Sequence, residues 1–224
     1  MHKIYDVDFY KDRHQQTLHA ARKILSIVLN AIPPVDSAID FGCGVGTWLS
    51  VLAERGARTI QGMDGPWVEK AFLVIPETCF RRTDFEQEQH FAQRYDLAIS
   101  LEVAEHLQPE YAAHFIAMLT AASDFVLFSA AIPFQGGNGH FNEQWPDYWA
   151  GLFQKQSYSV VDFIRRNVWN DRDIPLWYRQ NTLFFVKNSR LGDLRLPCHE
   201  LYTNQEQLTL VHPDYYLLKV NRFL

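Results

Sequence analysis

Ala38-Ile39-Asp40-Phe41-Gly42-Cys43-Gly44-Val45-Gly46-Thr47 is an apolar run that ends in an acid and opens into a loop with glycine at every second position. A chain leaving a buried strand at this point must turn sharply and bring bare backbone against a ligand, and glycine allows both. Residues 35–41 read as a strand buried on both faces and residues 47–55 as the helix after it, so the glycines occupy a strand-to-helix turn. Such a turn is where a nucleotide-like ligand would rest.

Outward from that turn, strands and helices alternate. A helix over residues 16–31 precedes Pro33-Pro34. Further strands are expected over 57–63, 79–83, 95–101, 125–130, 157–164 and 182–187, with helices over 109–121 and 143–156. This pattern predicts an α/β fold with a Rossmann-like, seven-stranded, mostly parallel sheet and helices on both faces. At 224 residues and 47% hydrophobic content the chain reads as a single domain, 1–224. Within it 1–34 is expected to be an N-terminal helical cap, 35–187 the core, and 188–224 a C-terminal extension.

A formal charge of −5 and a pI near 6.0 supply no basic footprint for nucleic acid, local arginines at 165, 166 and 172 aside. Cys43, Cys79 and Cys198 form no CxxC pair, and no apolar leader or membrane-length run is present. The expectation is a cytoplasmic protein with reduced thiols and no membrane contact.

In parallel sheets ligands gather beyond the carboxyl ends of the strands, so acids at those ends should converge. Asp40 ends the first strand. Asp64 ends the second, where a carboxylate can accept hydrogen bonds from two vicinal ribose hydroxyls; its other reading is a turn aspartate before Gly65-Pro66. Asp84-Phe85 follows the third strand, and could equally be a solvated acid beside a core ring. Leu101, closing the fourth strand, belongs to the same edge.

A second constellation follows at once: Glu102-Val103-Ala104-Glu105-His106. In a helical turn Glu102, Glu105 and His106 would face one side. Two carboxylates and an imidazole together suit a divalent cation such as Mg²⁺ or Mn²⁺, or else a helix start with Glu105 on the dipole. The stretch Gln135-Gly136-Gly137-Asn138-Gly139-His140-Phe141-Asn142-Glu143 could close as a lid carrying His140 over the same cleft. Alternatively it is an exposed loop in which Asn142 caps the helix beginning at Glu143.

The Gly-x-Gly-x-Gly loop with its preceding acid resembles the S-adenosylmethionine loop of class I methyltransferases, and the resemblance spans roughly residues 35–187. It implies that Asp40, Gly42, Gly44, Gly46, Asp64, Asp84, Phe85 and Leu101 bind S-adenosylmethionine, with Asp84-Phe85 at the adenine. Glu102-x-x-Glu105-His106 followed by His140 resembles metal-assisted O-methyltransferases acting on small-RNA ends and in ubiquinone biosynthesis. That implies a metal set of Glu102, Glu105, His106 and His140, with His106, His140 and Glu105 also as catalytic groups. The blocks FSAAIP, GHFNEQWPDYW and WYRQN resemble bacterial methyltransferases that tailor polysaccharides and natural products. The expected reaction is O-methylation of a small molecule or sugar; the rivals are methylation of an amine without metal, and a non-catalytic interaction protein. Trp145, Trp149, Trp169 and Trp177 would stack on a sugar or else pack in the core. Tyr5, Phe9, Tyr10 and His14 could flap over the cofactor or else form a packed amphipathic start.

Overall fold

A computed structural model of the chain describes residues 7–87, 91, 93–201 and 203–220, with side chains from residue 14 onward except that of residue 206. Tyr5 lies outside the described residues, as do the side chains of Phe9 and Tyr10.

The order of elements is α1 (Val7–Ala31), β1 (Ser37–Phe41), α2 (Thr47–Glu54), β2 (Thr59–Asp64), β3 (Phe80–Arg82), β4 (Leu97–Leu101), α3 (Ala112–Ala122) and β5 (Phe125–Ser129). Then come α4 (Pro146–Lys155), β6 (Tyr158–Val161), α5 (Ile164–Val168), α6 (Leu176–Asn181), β7 (Leu183–Lys187), α7 (Cys198–Leu201) and α8 (Pro213–Val220). The seven strands form one sheet in the order β3-β2-β1-β4-β5-β7-β6. Only β7 runs antiparallel to its neighbours. This is the expected Rossmann-like α/β architecture.

Period-two alternation divides the core between the two faces. Ala38, Leu97, Ile99, Leu127 and Phe184 pack on one side with α1, α2 and α5. Ile39, Phe41, Ala98, Val126 and Phe185 pack on the other with α3 and α4. Both faces are covered, so the strands are apolar throughout, as buried parallel strands must be. Strand order reverses between β1 and β4, which puts the crevice of the fold beyond Phe41 and Leu101.

Three local expectations change. The helix expected from Glu143 begins at Pro146, because proline forces Trp145 into an extended conformation (φ −65°, ψ 152°). Asn142 is therefore no cap; it is buried and its Oδ1 accepts from Gln144 Nε2 at 3.0 Å. The strand expected to reach residue 164 stops at Val161, and two short helices, α5 and α6, precede β7. Arg165 is not part of a basic patch, since it is 2% exposed in a two-point ion pair with Asp162.

The C-terminal extension docks back on the domain through α6. Arg179 donates to the carbonyls of Ile174 and Trp169 and contacts His212 and Asp214. Gln180 exchanges hydrogen bonds with Leu210 and His212. Among the described residues no helix is long and apolar enough to cross a membrane.

Candidate active site

A cavity of about 830 Å³ opens beyond the carboxyl ends of β1, β2 and β4. Of the residues expected at the cofactor, Asp40, Gly42, Gly44, Asp64, Asp84, Phe85 and Leu101 line it. Gly46 does not; it opens α2 with φ +89° and its bare Cα packs against Ile75. Gly42 and Gly44 also hold left-handed φ values of +83° and +55°, which is why the loop can present backbone so closely.

Asp64 is tied into the loop. Its Oδ2 accepts the N–H of Gly44 at 2.7 Å and its Oδ1 that of Gly65 at 2.6 Å. Burial raises its pKa, with these donors and the Trp67 side chain pulling the other way. Asp40 is 2% exposed, and its Oδ2 has no hydrogen-bond partner among the described residues. Burial first, and the Asp64 charge second, push its carboxyl well above the ordinary range. Asp84 is exposed and accepts the N–H of Glu86 at 3.0 Å. Phe85 is buried against Phe41 and Phe115, so it serves the core while bordering the cavity.

At the other end lies the constellation after β4. Instead of one helical turn, the chain makes a left-handed step at Glu102 (φ +56°) and only then a short 3₁₀ turn over Ala104–His106. The step costs a non-glycine residue about 1–2 kcal/mol, and the Glu102 carboxylate is taken up by amides from farther along the chain. Its Oε1 accepts from Asn181 Nδ2 at 3.0 Å and its Oε2 from Gln135 Nε2 at 2.8 Å. Burial raises its pKa and these two amides oppose the rise.

Glu105, His106 and His140 do come together, with ligand atoms all within 4.8 Å of one another. Glu102 is not among them, so three of the four expected ligands are assembled and the fourth is engaged elsewhere. Glu105 is fully buried, and neither carboxylate oxygen has a partner at hydrogen-bonding geometry among the described residues. Burial, then Glu102, drive its pKa well above the usual carboxylate range. An unpartnered buried carboxylate is costly unless a cation or a proton joins it.

The lid segment is fastened to this cluster by backbone. Phe141 and Asn142 donate their N–H groups to the Glu105 carbonyl at 2.8 and 3.0 Å. His106 Nδ1 lies 3.1 Å from the Gly139 carbonyl, which only accepts, so Nδ1 is the donor of this contact. His140 Nδ1 lies 2.8 Å from Glu143 Oε1, the outer carboxylate that commonly orients a ligating or basic imidazole. The two rings meet edge to face at 4.8 Å. A divalent cation therefore fits Glu105, His106 and His140: an orphaned carboxylate and two imidazoles oriented through Nδ1 are its ordinary donors. Burial first, then the charges of Glu102, Glu143 and Glu105, raise the pKa of Tyr215, and Lys219 of the same helix donates to the Gln135 carbonyl at 2.8 Å.

The tryptophans singled out for sugar stacking are elsewhere. Trp149 packs on Phe128, Trp169 on His212 and Trp177 on Tyr178, and neither these nor Trp145 borders the cavity. Its aromatic walls are Trp48, Trp67, Phe85, Phe141 and Tyr178 instead. His14 joins them from α1, with Nδ1 2.9 Å from Thr47 Oγ1.

A family model described as "Methyltransferase domain" matches residues 12–176. No curated protein matches the chain. Solved structures share its fold. Magnesium protoporphyrin IX methyltransferase from Synechocystis PCC 6803, crystallised with SAH, is 22% identical with a TM-score of 0.53 over 78% of this chain and 83% of that one. CalS10, an amino pentose methyltransferase from Micromonospora echinaspora bound to SAM, is 12% identical with a TM-score of 0.59 over 84% and 100%. The small RNA methyltransferase HEN1 is 19% identical with a TM-score of 0.51, over 79% of this chain and 25% of that one.

Proposed function

The chain belongs to this methyltransferase-domain family and is an enzyme of methyl transfer; on that premise we propose that it methylates a hydroxyl oxygen of a small-molecule or carbohydrate acceptor from S-adenosylmethionine, with Glu105, His106 and His140 as ligands of Mg²⁺ or Mn²⁺. The observation that carries this reading is the buried, unpartnered Glu105 carboxylate beside two oriented imidazoles. When bound, such a cation would lower the pKa of an acceptor hydroxyl.

The rest of the work falls to side chains and backbone. Asp64 accepts the ribose hydroxyls, Gly42 and Gly44 let the loop approach the amino acid part, and Phe85 with Leu101 forms an apolar flank for the adenine. Aligning acceptor oxygen, methyl carbon and sulfonium for in-line displacement contributes several kcal/mol, of the order seen for well-oriented intramolecular reactions. Without a cation, the Nε2 of His106 or of His140, whose Nδ1 atoms face Gly139 and Glu143, would take the acceptor's proton instead.

A second reading has its own support. Glu102 borders the cavity and its hydrogen-bond partners are neutral amides, so its charge is left for a ligand, and an acceptor ammonium would meet it. A Mn²⁺ titration followed by electron paramagnetic resonance tests the first reading, with the native protein compared to a Glu105→Ala, His106→Ala variant, both loaded with S-adenosylhomocysteine. Binding by the native protein that is lost in the variant is expected. No binding by either overturns the metal, and methylation of amines alone in an acceptor panel overturns the hydroxyl.

A further inference from the structure

The C-terminal extension reaches beyond its docking on α6. Lys219 of α8 donates from Nζ to the Gln135 carbonyl at 2.8 Å, and a Cβ at Gly136 would lie 3.9 Å from the same nitrogen. The ammonium therefore sits over the Gln135–Gly136 peptide, where the lid segment begins. Gln135 is held from other sides as well. Its N–H donates to the Ile132 carbonyl at 3.0 Å, its Oε1 accepts from Asn181 Nδ2 at 2.9 Å and from the Ile132 N–H at 3.3 Å, and its Nε2 donates to Glu102.

From Gln135 the hold passes along the backbone to His140. The next residue, Gly136, donates its N–H to Glu143 Oε1 at 2.7 Å, the same oxygen that faces His140 Nδ1 at 2.8 Å. The carboxylate that orients the imidazole is thus itself placed by the residue after Gln135. The ring also rests on the start of the segment: a Cβ at Gly137 would stand 2.7 Å from His140 Cδ2 and closer still to Nε2 and Cε1. Residues 135–137 therefore supply both the ring's seat and the anchor of its carboxylate, and a shift of these residues moves His140.

We infer that Lys219 is a positioning residue for His140, which makes α8 a working part of the candidate metal site; the inference rests on the metal reading given above. Lys219 is no ligand itself. It acts through Gln135, Gly136 and Glu143, and its charge suits it to the task, since an ionised donor makes a stronger bond to a carbonyl than a neutral one.

Four proteins loaded with S-adenosylhomocysteine test this: wild type, Lys219→Met, Lys219→Arg and Gly137→Ala. Methionine removes the donor and arginine restores one, while Gly137 does not have the left-handed φ that would strain an alanine. Mn²⁺ affinity is read by electron paramagnetic resonance, and amide exchange of Phe141 and Asn142, which bond to the Glu105 carbonyl, is read without metal. Loss of an outer partner weakens metal binding about 10–100-fold; Lys219 acts at one further remove, so Lys219→Met is expected to bind Mn²⁺ about three- to tenfold more weakly. Its Phe141 and Asn142 amides should exchange faster, Lys219→Arg should stay near wild type in both, and Gly137→Ala should lose about tenfold or more in Mn²⁺ affinity. Native affinity in Lys219→Met or Gly137→Ala, or a loss that Lys219→Arg shares, overturns the inference and leaves the metal reading standing. No Mn²⁺ binding by the folded wild-type protein overturns the metal reading, and amide exchange then decides: rates in Lys219→Met equal to wild type overturn the inference, and faster rates restored by arginine support it.

Discussion

Alanine at Gly42 and alanine at Gly44 should differ sharply although only Cys43 separates them. Both positions are left-handed, and an L side chain there costs about 1–2 kcal/mol. At Gly44 that is the whole cost, because a Cβ would have nothing within 4 Å. At Gly42 the Cβ would stand 2.3 Å from Val103 Cγ2 and 2.9 Å from Cγ1. Val103 is β-branched and stiff about χ1, and it follows Glu102, which is already held at φ +56°, so it has little freedom to retreat. Overpacking of this kind adds about 1–3 kcal/mol, for a total of about 2–5 kcal/mol. In a domain of this size 1 kcal/mol corresponds to about 2–4 °C, so Gly42→Ala should melt roughly 2–12 °C below Gly44→Ala. Circular dichroism melts without ligand measure this directly, and Val103→Ala added to Gly42→Ala should recover part of the loss. Equal melting temperatures, or no recovery with Val103→Ala, would refute the steric account.

Three further outcomes are expected. Burial, then Glu102, raise the folded pKa of Glu105 above its unfolded value of about 4.3, so the metal-free protein loses stability as pH climbs from there through the folded pKa. In chelator, Glu105→Gln should therefore melt with wild type near pH 4 and above it at pH 8, and a difference independent of pH would contradict this. Asn181→Ala removes a donor from the Glu102 carboxylate and should cost about 1.5–3 kcal/mol in urea melts, with a loss below 0.5 kcal/mol counting against the contact. Arg179→Met strips the Ile174 and Trp169 carbonyls of a buried donor, at about 1–3 kcal/mol, so amide exchange in residues 208–218 should quicken about tenfold, and unchanged exchange would show that α8 docks by other means.

The turn at Gly42 to Gly46 was legible because everything it needs is local: an apolar strand, positive φ at spaced glycines, and a helix beyond. Asp40, Asp64, Asp84 and Leu101 followed from it, since parallel strands deliver their carboxyl ends to one edge and fix the acids there without any knowledge of side-chain contacts. Glu102 shows where that reasoning stops. Helical spacing put it with Glu105 and His106, but one left-handed residue breaks the spacing, and the amides that receive its carboxylate come from Gln135 and Asn181, far along the chain. α6, which carries Asn181, has six residues, too few for a hydrophobic period to register. The tryptophans were left between two readings for a related reason: residue type announced burial or stacking, while the helix start set by Pro146 and the packing of Trp169 on His212 decided which. His140 stayed with the cluster although it is as remote in sequence as Gln135. The reason is that Phe141 and Asn142, next to it in the chain, hydrogen-bond to the Glu105 carbonyl, so the backbone itself delivers the ring. A side chain pinned by neighbouring backbone can be anticipated from order along the chain, whereas one pinned by another side chain cannot.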